Sequence, residues 1–526
     1  MSESESSARR PSLFDQHSYR LRICIAIMFF LAALLRLNDI HAPGHLPDRE
    51  YTSAIFARAF YFANNDLIEP WEQNIAIATK NQQPILEPPF VEWLVSWIYR
   101  ATGREELFYS RYLTNSFWLL GGLFMYRLTK RLISTDAAIV ATGYYLFVPM
   151  GIIISRSFQP DSLMMMLFLL TLNLILGYFE MPTLKRLLAA STVNGLVLLL
   201  RPLVIFAVFC SFLALSLSEK ADWKKVLDRR FLIFSGLSLV PSVVYYGYGI
   251  VFAGFMRWKV TTSFMPYLLP KRDFWLGWFN VGSDVVGHAT IIAAIIGFFF
   301  LHNKRAQYLA VGLAVSYVLF GIAFTYHIHT HPYYHIQLIP LIGLAIAPLV
   351  LSVIYSLRAL TVKYWFIPVA INLICGLYFI HRTEIASLYQ GRLEAPQVGA
   401  EIGRLINHSA RTVFVSYYYG VPLEYYGEFG GAPWPVSLED AFYRRPGERS
   451  LSVQERLSGL GFVPDYFVIT NFDLYYRKHA DLETYLKENC HVYAQKEQYL
   501  IYSACKPIPM SEATSHSGEL ASHESE

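Results

Sequence analysis

The sequence predicts a polytopic α-helical membrane protein of about eleven spans with a small α/β domain at its C-terminal end. Three observations predict it. First, 54% of the 526 residues are hydrophobic and only 16% are charged, against roughly 25% charged in an average soluble domain. Second, apolar runs of helical length recur through the first 381 residues, and a crossing helix needs about 20 apolar residues. Third, Lys and Arg gather on alternate loops, the asymmetry that orients membrane helices. The net charge of +4 is small, and no basic tract argues for nucleic acid. The cysteines Cys24, Cys210, Cys375, Cys490 and Cys505 lack metal-ligand spacing. A polar arm precedes the first apolar run, with no small-residue cleavage site, so a cleavable signal peptide is not expected.

After an arm at 1–20, the transmembrane domain is expected at 21–381. Its spans fall at 21–37, 107–126, 136–154, 161–179, 187–200, 202–218, 231–252, 285–301, 306–326, 336–356 and 364–381. The fifth and sixth are short, but together they exceed one span, and Arg201-Pro202 breaks them where proline ends or kinks a helix. This division sets 14 Lys and Arg, from Arg127 to Lys363, on one side. The other side holds only Arg156, Arg201, Arg257, Lys259, Lys271 and Arg272. The richer side, which includes the N-terminal arm, is cytoplasmic by the positive-inside rule. Asp48, Glu50, Glu87, Asp161, Arg201, the 253–284 loop and everything after 382 then lie outside.

Residues 38–106 are too long for a bare connector. Tyr51–Ala63 and Pro89–Ala101 carry helical apolar spacing but are too short to span. They read as helices in the membrane interface, with Trp93 and Trp97 at headgroup depth and Pro88-Pro89 opening the second. From 385 to 506 the composition is that of a soluble domain. "TVFVSYYY" and "DYFVIT" read as strands, "LETYLKEN" as helix, and "CHVYAQKEQYLIYSAC" as a closing hairpin. A turn at Lys496–Tyr499 sets Cys490 opposite Cys505, so a disulfide and two separate thiols both stand as readings. The Ser/Glu/His-rich stretch 507–526 reads as a disordered tail.

Ionisable groups kept at a membrane edge are functional candidates. Three acidic patches stand at such edges: "HLPDREYTSAIFAR" with Asp48 and Glu50, "EPPFVEW" with Glu87 and Glu92, and "SRSFQPDSLMM" with Asp161. In order, spacing and sidedness these resemble the GT-C superfamily of membrane glycosyltransferases. The branch most resembled holds the protein O-mannosyltransferases and the lipid A aminoarabinose transferase. That family carries an acidic residue just after span one, an "xPP" motif before an amphipathic helix, and an Arg then an Asp at the mouth of spans three and four. Here Arg156 and Asp161 match the last pair. Two departures stand out. Arg49 separates Asp48 from Glu50 where the family reads Asp-Glu. Glu87 stands before Pro-Pro where those branches have Lys or His.

The resemblance implies transfer of a sugar from a polyprenyl-phosphate donor to a lipid, protein or glycan acceptor at the exterior face, with inversion by single displacement. The absence of a large lumenal insert points to a prokaryotic plasma membrane. The acceptor needs a general base within hydrogen-bond reach; Asp48 and Glu50 are both candidates. The leaving phosphate needs cations; Arg58, Arg156 and Arg201 are the nearest by topology. His331, Tyr333 and Tyr334 lie in a loop similar to one that binds donor or acceptor in the family, with Glu87 a further substrate-binding candidate. No cofactor is fixed, although a divalent metal at Glu87 is a candidate. His327, His329, His331 and His335 lack a full ligand set for a metal. Simpler readings stand beside these: solvated acids at 48 and 50, Asp161 capping its helix, and Arg201 snorkelling. A transporter or flippase of a lipid-linked saccharide is the alternative function. It would place ionisable groups near the midplane, where this sequence has only Arg201 interrupting the later spans.

Overall fold

A computed structural model of the chain describes residues 13, 19–38, 40–41, 46–220, 227–254, 263–360, 396–434, 451–503 and 505. They group into two compact units: Met1–Leu46 with Ile85–Gly391, and Pro47–Pro84 with Arg392–Glu526.

The first unit is helical throughout its described length. Asp161–Glu180, Pro202–Glu219, Arg229–Phe252, Lys304–Ala323 and Leu338–Leu357 are each long and apolar enough to cross a membrane. Two bent pairs raise the number to seven if each counts as one span. Thr135–Phe147 and Pro149–Ser155 meet at 60°, where Pro149 cannot continue the helix. Arg272–Val286 and His288–Phe298 meet at 87°, where Gly287 takes a φ of 92° that favours glycine. The spans expected at 21–37, 107–126 and 187–200 are helices, Tyr19–Leu37, Leu107–Leu132 and Leu184–Leu200, but do not meet the same length, charge and apolarity test. The eleventh, at 364–381, lies outside the described residues. A multi-pass membrane protein follows, without a count of eleven.

Local chemistry explains where these helices start. Ser134, Thr183, Asp228 and Asn303 each accept a hydrogen bond from a first-turn N–H of the following helix. Such caps satisfy donors that a helix cannot satisfy itself. All four caps sit in Lys/Arg-rich loops. Asp161–Glu180 and Leu338–Leu357 are the most buried spans, whereas Arg229–Phe252 exposes Val240, Val243, Val244 and Phe252. A Cβ on Gly312 would stand 2.7 Å from the Ala214 Cβ, so glycine lets Lys304–Ala323 and Ile205–Lys220 approach closely. The amphipathic helix Phe90–Thr102 buries Val91, Glu92, Val95 and Tyr99 and exposes Phe90, Trp93 and Trp97.

The second unit has a five-stranded sheet. Its strands are β1 (Thr412–Val415), β2 (Gly431–Pro433), β3 (Tyr466–Ile469), β4 (His491–Gln495) and β5 (Leu500–Ser503), in the order β2-β1-β3-β5-β4. β1 runs parallel to β2 and β3, while β5 is antiparallel to β3 and β4. Alternate residues serve opposite faces. Val413, Val415, Phe467, Ile469, Leu500 and Tyr502 pack in a core with Leu457, Leu482 and Leu486. Phe414, Val468 and Ile501 pack in the other core with Ile402, Ile406 and Leu423. The expected strand at "TVFVSYYY" ends at Val415; Tyr418 and Tyr419 turn into the left-handed region with φ of 50° and 57°. The hairpin turns at Lys496–Tyr499, and a bulge between Val492 and Ala494 shifts its register by one residue. Cys490 and Cys505 form a disulfide.

Helices Pro47–Phe62 and Pro70–Gln82 belong to this second unit. Pro70–Gln82 falls between the helices expected at Tyr51–Ala63 and Pro89–Ala101 and is an additional one. Polar bonds between distant residues explain the association. Arg58 Nη1 donates to the Tyr425 carbonyl (2.6 Å), and Gln82 Nε2 to that of Ala410 (2.8 Å). The Tyr51 and Tyr426 hydroxyls share a hydrogen bond (2.7 Å). Gln83 Nε2 donates to Glu424 Oε2 (2.8 Å).

Glu424 is buried, and its burial pushes the carboxyl well above the usual carboxylate range despite bonds from Gln83 and the Gly431 N–H. It therefore keeps its proton to higher pH than an unfolded glutamate, which ionises at about pH 4.3. The folded state then binds the extra proton, so this group's contribution to stability falls as pH rises above the unfolded value. Glu424→Gln should raise the unit's thermal midpoint at about pH 7, with the two proteins converging below about pH 4. Parallel melting curves across that range would show that Glu424 does not titrate with folding.

Candidate active site

Three charged residues of the first unit meet where helices break, and a proline stands beside each. Glu87 precedes Pro88-Pro89 and the helix Phe90–Thr102. Asp161 follows Pro160 and opens Asp161–Glu180. Arg201 precedes Pro202 and is extended (φ −160°, ψ 100°), as the residue before a proline prefers. Its N–H still closes the preceding helix on the Val197 carbonyl. Asp161 and Arg201 thus stand at helix ends, and Glu87 stands in the loop before one.

They turn toward each other. Arg201 Nε and Nη2 donate to the two Asp161 oxygens at 3.2 and 3.0 Å, a forked pair, while Nη1 donates to Glu87 Oε1 at 3.1 Å. The side chains of Arg201, Glu87 and Asp161 are 8%, 10% and 0% exposed, so solvent screens this cluster little. Both Asp161 oxygens engage Arg201, and a carboxylate in a first turn is also favoured by the helix dipole. Arg201 does not snorkel.

An aromatic wall completes the surroundings. Tyr333 lies 5.9 Å from the Arg201 guanidinium carbon, and Tyr334 is within its electrostatic reach. Tyr246 is within reach of both Glu87 and Arg201, and its hydroxyl donates to the Leu199 carbonyl (2.9 Å). The tyrosine loop is fixed by a polar chain. Trp278 Nε1 donates to the Tyr317 hydroxyl (2.7 Å), which lies 2.7 Å from His335 Nδ1. His335 Nε2 is 2.6 Å from the Ile328 carbonyl and must donate to it. The Tyr317 hydroxyl then donates to Nδ1, the tautomer of a neutral imidazole. Burial agrees, pushing His335 down to about 4.

The remaining histidines also have structural roles. His327 stacks on Tyr334 (centroids 4.7 Å apart), and His329 Nδ1 lies 2.7 Å from the Thr325 carbonyl. His331 is half-buried beside Tyr333, with its Nδ1 close to the Thr330 hydroxyl. Among the described residues no three His, Cys, Asp or Glu side chains gather as metal ligands. Glu87 and Asp161 share a guanidinium, so a metal there would have to compete with a forked ion pair.

The other candidates stand elsewhere. Arg156 is buried at the end of Pro149–Ser155, within electrostatic reach of Arg36. Sequence reasoning missed Arg36, which is fully buried. Its donors reach the Ser155 hydroxyl (2.8 Å) and the carbonyls of Ala32 (3.0 Å) and Leu146 (2.7 Å). An arginine one turn from the end of an apolar span, facing a serine-bearing break, was the available signal. Asp48, Glu50 and Arg58 belong to the second unit, on Pro47–Phe62. Glu50 is buried. Burial raises the Asp48 carboxyl above its ordinary value, with Arg49 and backbone N–H groups pulling it back. Arg58 stacks on Tyr425, its guanidinium carbon 3.9 Å from the ring centroid.

Truncating one member of a buried pair costs about 3–5 kcal/mol. Arg201→Met should therefore lower stability in detergent by that order. Adding Asp161→Asn and Glu87→Gln should recover most of the loss, because no buried charge then needs the guanidinium. A triple variant melting no later than Arg201→Met would refute the ion-cluster account.

Residues 86–246, which contain Glu87, Arg156, Asp161 and Arg201, match the family model described as dolichyl-phosphate-mannose-protein mannosyltransferase. No curated protein matches the sequence. Among solved structures, the chain is similar to ArnT from Cupriavidus metallidurans in the apo state. Identity is 15%, coverage is 92% of this chain and 98% of that one, and the TM-score is 0.56. The same protein bound to undecaprenyl phosphate gives 15% identity, 92% and 97% coverage and a TM-score of 0.53. The archaeal oligosaccharyltransferase AglB from Archaeoglobus fulgidus, in complex with an inhibitory peptide and a dolichol-phosphate, gives 12% identity, 94% and 75% coverage and a TM-score of 0.54. At these identities the likeness is one of fold, and the chain is a multi-pass membrane protein with the fold of ArnT and of the archaeal oligosaccharyltransferase.

Proposed function

We propose that the chain is a glycosyltransferase that moves a sugar from a polyprenyl-phosphate donor to a lipid, protein or glycan acceptor. Transfer takes place at the extracytoplasmic face of a prokaryotic plasma membrane. The observation that carries this reading is the buried Glu87–Arg201–Asp161 cluster, set within the stretch that matches the mannosyltransferase model. Fold likeness to a protein solved with undecaprenyl phosphate and to another solved with a dolichol-phosphate supports a lipid-linked donor.

The roles follow from charge. Asp48 or Glu50 takes the proton from the acceptor hydroxyl or amine as it attacks the anomeric carbon, inverting it. A carboxylate raised by burial is a stronger base once ionised. Arg201 carries two carboxylates and acts as a positioning residue, holding Asp161 and Glu87 in place. Arg58, Arg156 and Arg201 are the candidate cations for the leaving phosphate. His331, Tyr333 and Tyr334 line the substrate side of Arg201.

Purified protein in detergent, given radiolabelled polyprenyl-phosphate sugars and envelope extract, should release and transfer sugar. Loss of a general base typically costs about 10²–10⁴-fold in rate. Either Asp48→Ala or Glu50→Ala should show that loss with an unchanged melting temperature, and the one that does identifies the base. Full activity in both variants would refute the base assignment. No release from any donor by wild type would refute the transferase reading and turn attention to lipid-linked saccharide transport.

A further inference from the structure

The segments that border the charge cluster carry three buried amides with no hydrogen-bond partner among the described residues. Gln159 is 0% exposed, and neither its Nε2 nor its Oε1 has a partner. It stands two residues before Asp161, in a stretch 156–160 that is buried throughout. Asn115 is likewise buried and lacks partners for both amide atoms. It follows Thr114, whose hydroxyl donates to the Ser155 carbonyl (2.9 Å), so its helix runs beside the start of that stretch. Gln337 is the third, four residues after the Tyr333 that faces Arg201.

Burying an amide costs free energy unless both its donor and its acceptor are used. A segment needing only bulk there would carry leucine or methionine. Each amide offers one acceptor and a pair of donor hydrogens, and so matches neighbouring hydroxyls, each both donor and acceptor, on a sugar ring. Ligand sites fix orientation with a few such polar groups in otherwise apolar walls. We propose that Asn115, Gln159 and Gln337 bind the hydroxyls of the donor's sugar and set which sugar is accepted. The proposal rests on the transferase reading and names the residues that give it specificity.

Asn194 supplies a control. It is equally buried and unpartnered, but lies seven residues below Arg201 on its helix, about 10 Å away along the axis.

The test compares full-length wild type with Gln159→Leu, Asn115→Leu and Asn194→Leu, in detergent. Binding is measured to undecaprenyl phosphate bearing no sugar, mannose or 4-amino-4-deoxyarabinose, together with each melting temperature. Wild type should bind one sugar-bearing lipid more tightly than the bare lipid. Gln159→Leu and Asn115→Leu should each shrink that preference by about tenfold, the effect of losing one good hydrogen bond, while binding bare lipid normally and melting no earlier than wild type. Asn194→Leu should keep the preference. An unchanged preference in both site variants overturns the proposal, and so does earlier melting with preference intact, which would mark the amides as held by structural water. A wild type that binds bare lipid but prefers no sugar also overturns it. A wild type that binds no polyprenyl phosphate at all fails the transferase reading first, and this proposal with it.

Discussion

One guanidinium shared by two buried carboxylates is the interaction around which the membrane unit is arranged. Arg201, Asp161 and Glu87 come from three separate segments, and each charge is affordable in an apolar interior only while the others stay in place. Full ionisation leaves the trio with one net negative charge. The prolines beside each residue give the backbone room for this arrangement. Pro88-Pro89 and Pro160 stand before helix starts, and Pro202 follows a helix end. The tyrosine loop then closes on Arg201 because the Trp278–Tyr317–His335 chain fixes it from behind.

The second unit follows a different rule. Its sheet has two apolar faces, each with its own core. Polar groups tie Pro47–Phe62 and Pro70–Gln82 to it from more than 300 residues away in sequence. Asp48 and Glu50 stand on the first of these helices. The C-terminal sheet and the helix that carries Asp48 and Glu50 thus form one compact unit.

How much of this the sequence disclosed depends on the range of the interaction. The break at Arg201-Pro202, the start of the helix after Pro88-Pro89 and the strand at "DYFVIT" are local, and proline or period-two patterning made them legible. The hairpin turn and its cysteine pair were legible for the same reason, although the bulge was not. The union of Arg201 with Asp161 and Glu87 was not legible, because residues 40 and 114 positions apart meet through tertiary packing. Nor was the bond from Arg58 to Tyr425, which crosses 367 positions. Pro70–Gln82 is not legible because its mixed polar surface gives little apolar periodicity, and its distant hydrogen-bond partners are the backbone carbonyls of Phe429 and Ala410. Gln159 was overlooked because a polar residue in a loop ordinarily faces water, and only the fold shows this one enclosed.

Charge balance bears on how the proposed transfer would divide its labour. A leaving phosphate needs positive charge that is not already committed. Arg201 is committed twice over, to Asp161 and to Glu87. Arg36 differs: the hydroxyl and two carbonyls that accept from it are neutral and leave its formal charge intact. Arg156 stands within electrostatic reach of it, so two like charges are held near one another at the end of Pro149–Ser155. The sequence continues through Ser157 and Gln159 to Asp161, and so leads from this positive end to the carboxylate bound by Arg201 within five residues. Arg201 is therefore bound up with the two carboxylates that it holds in place.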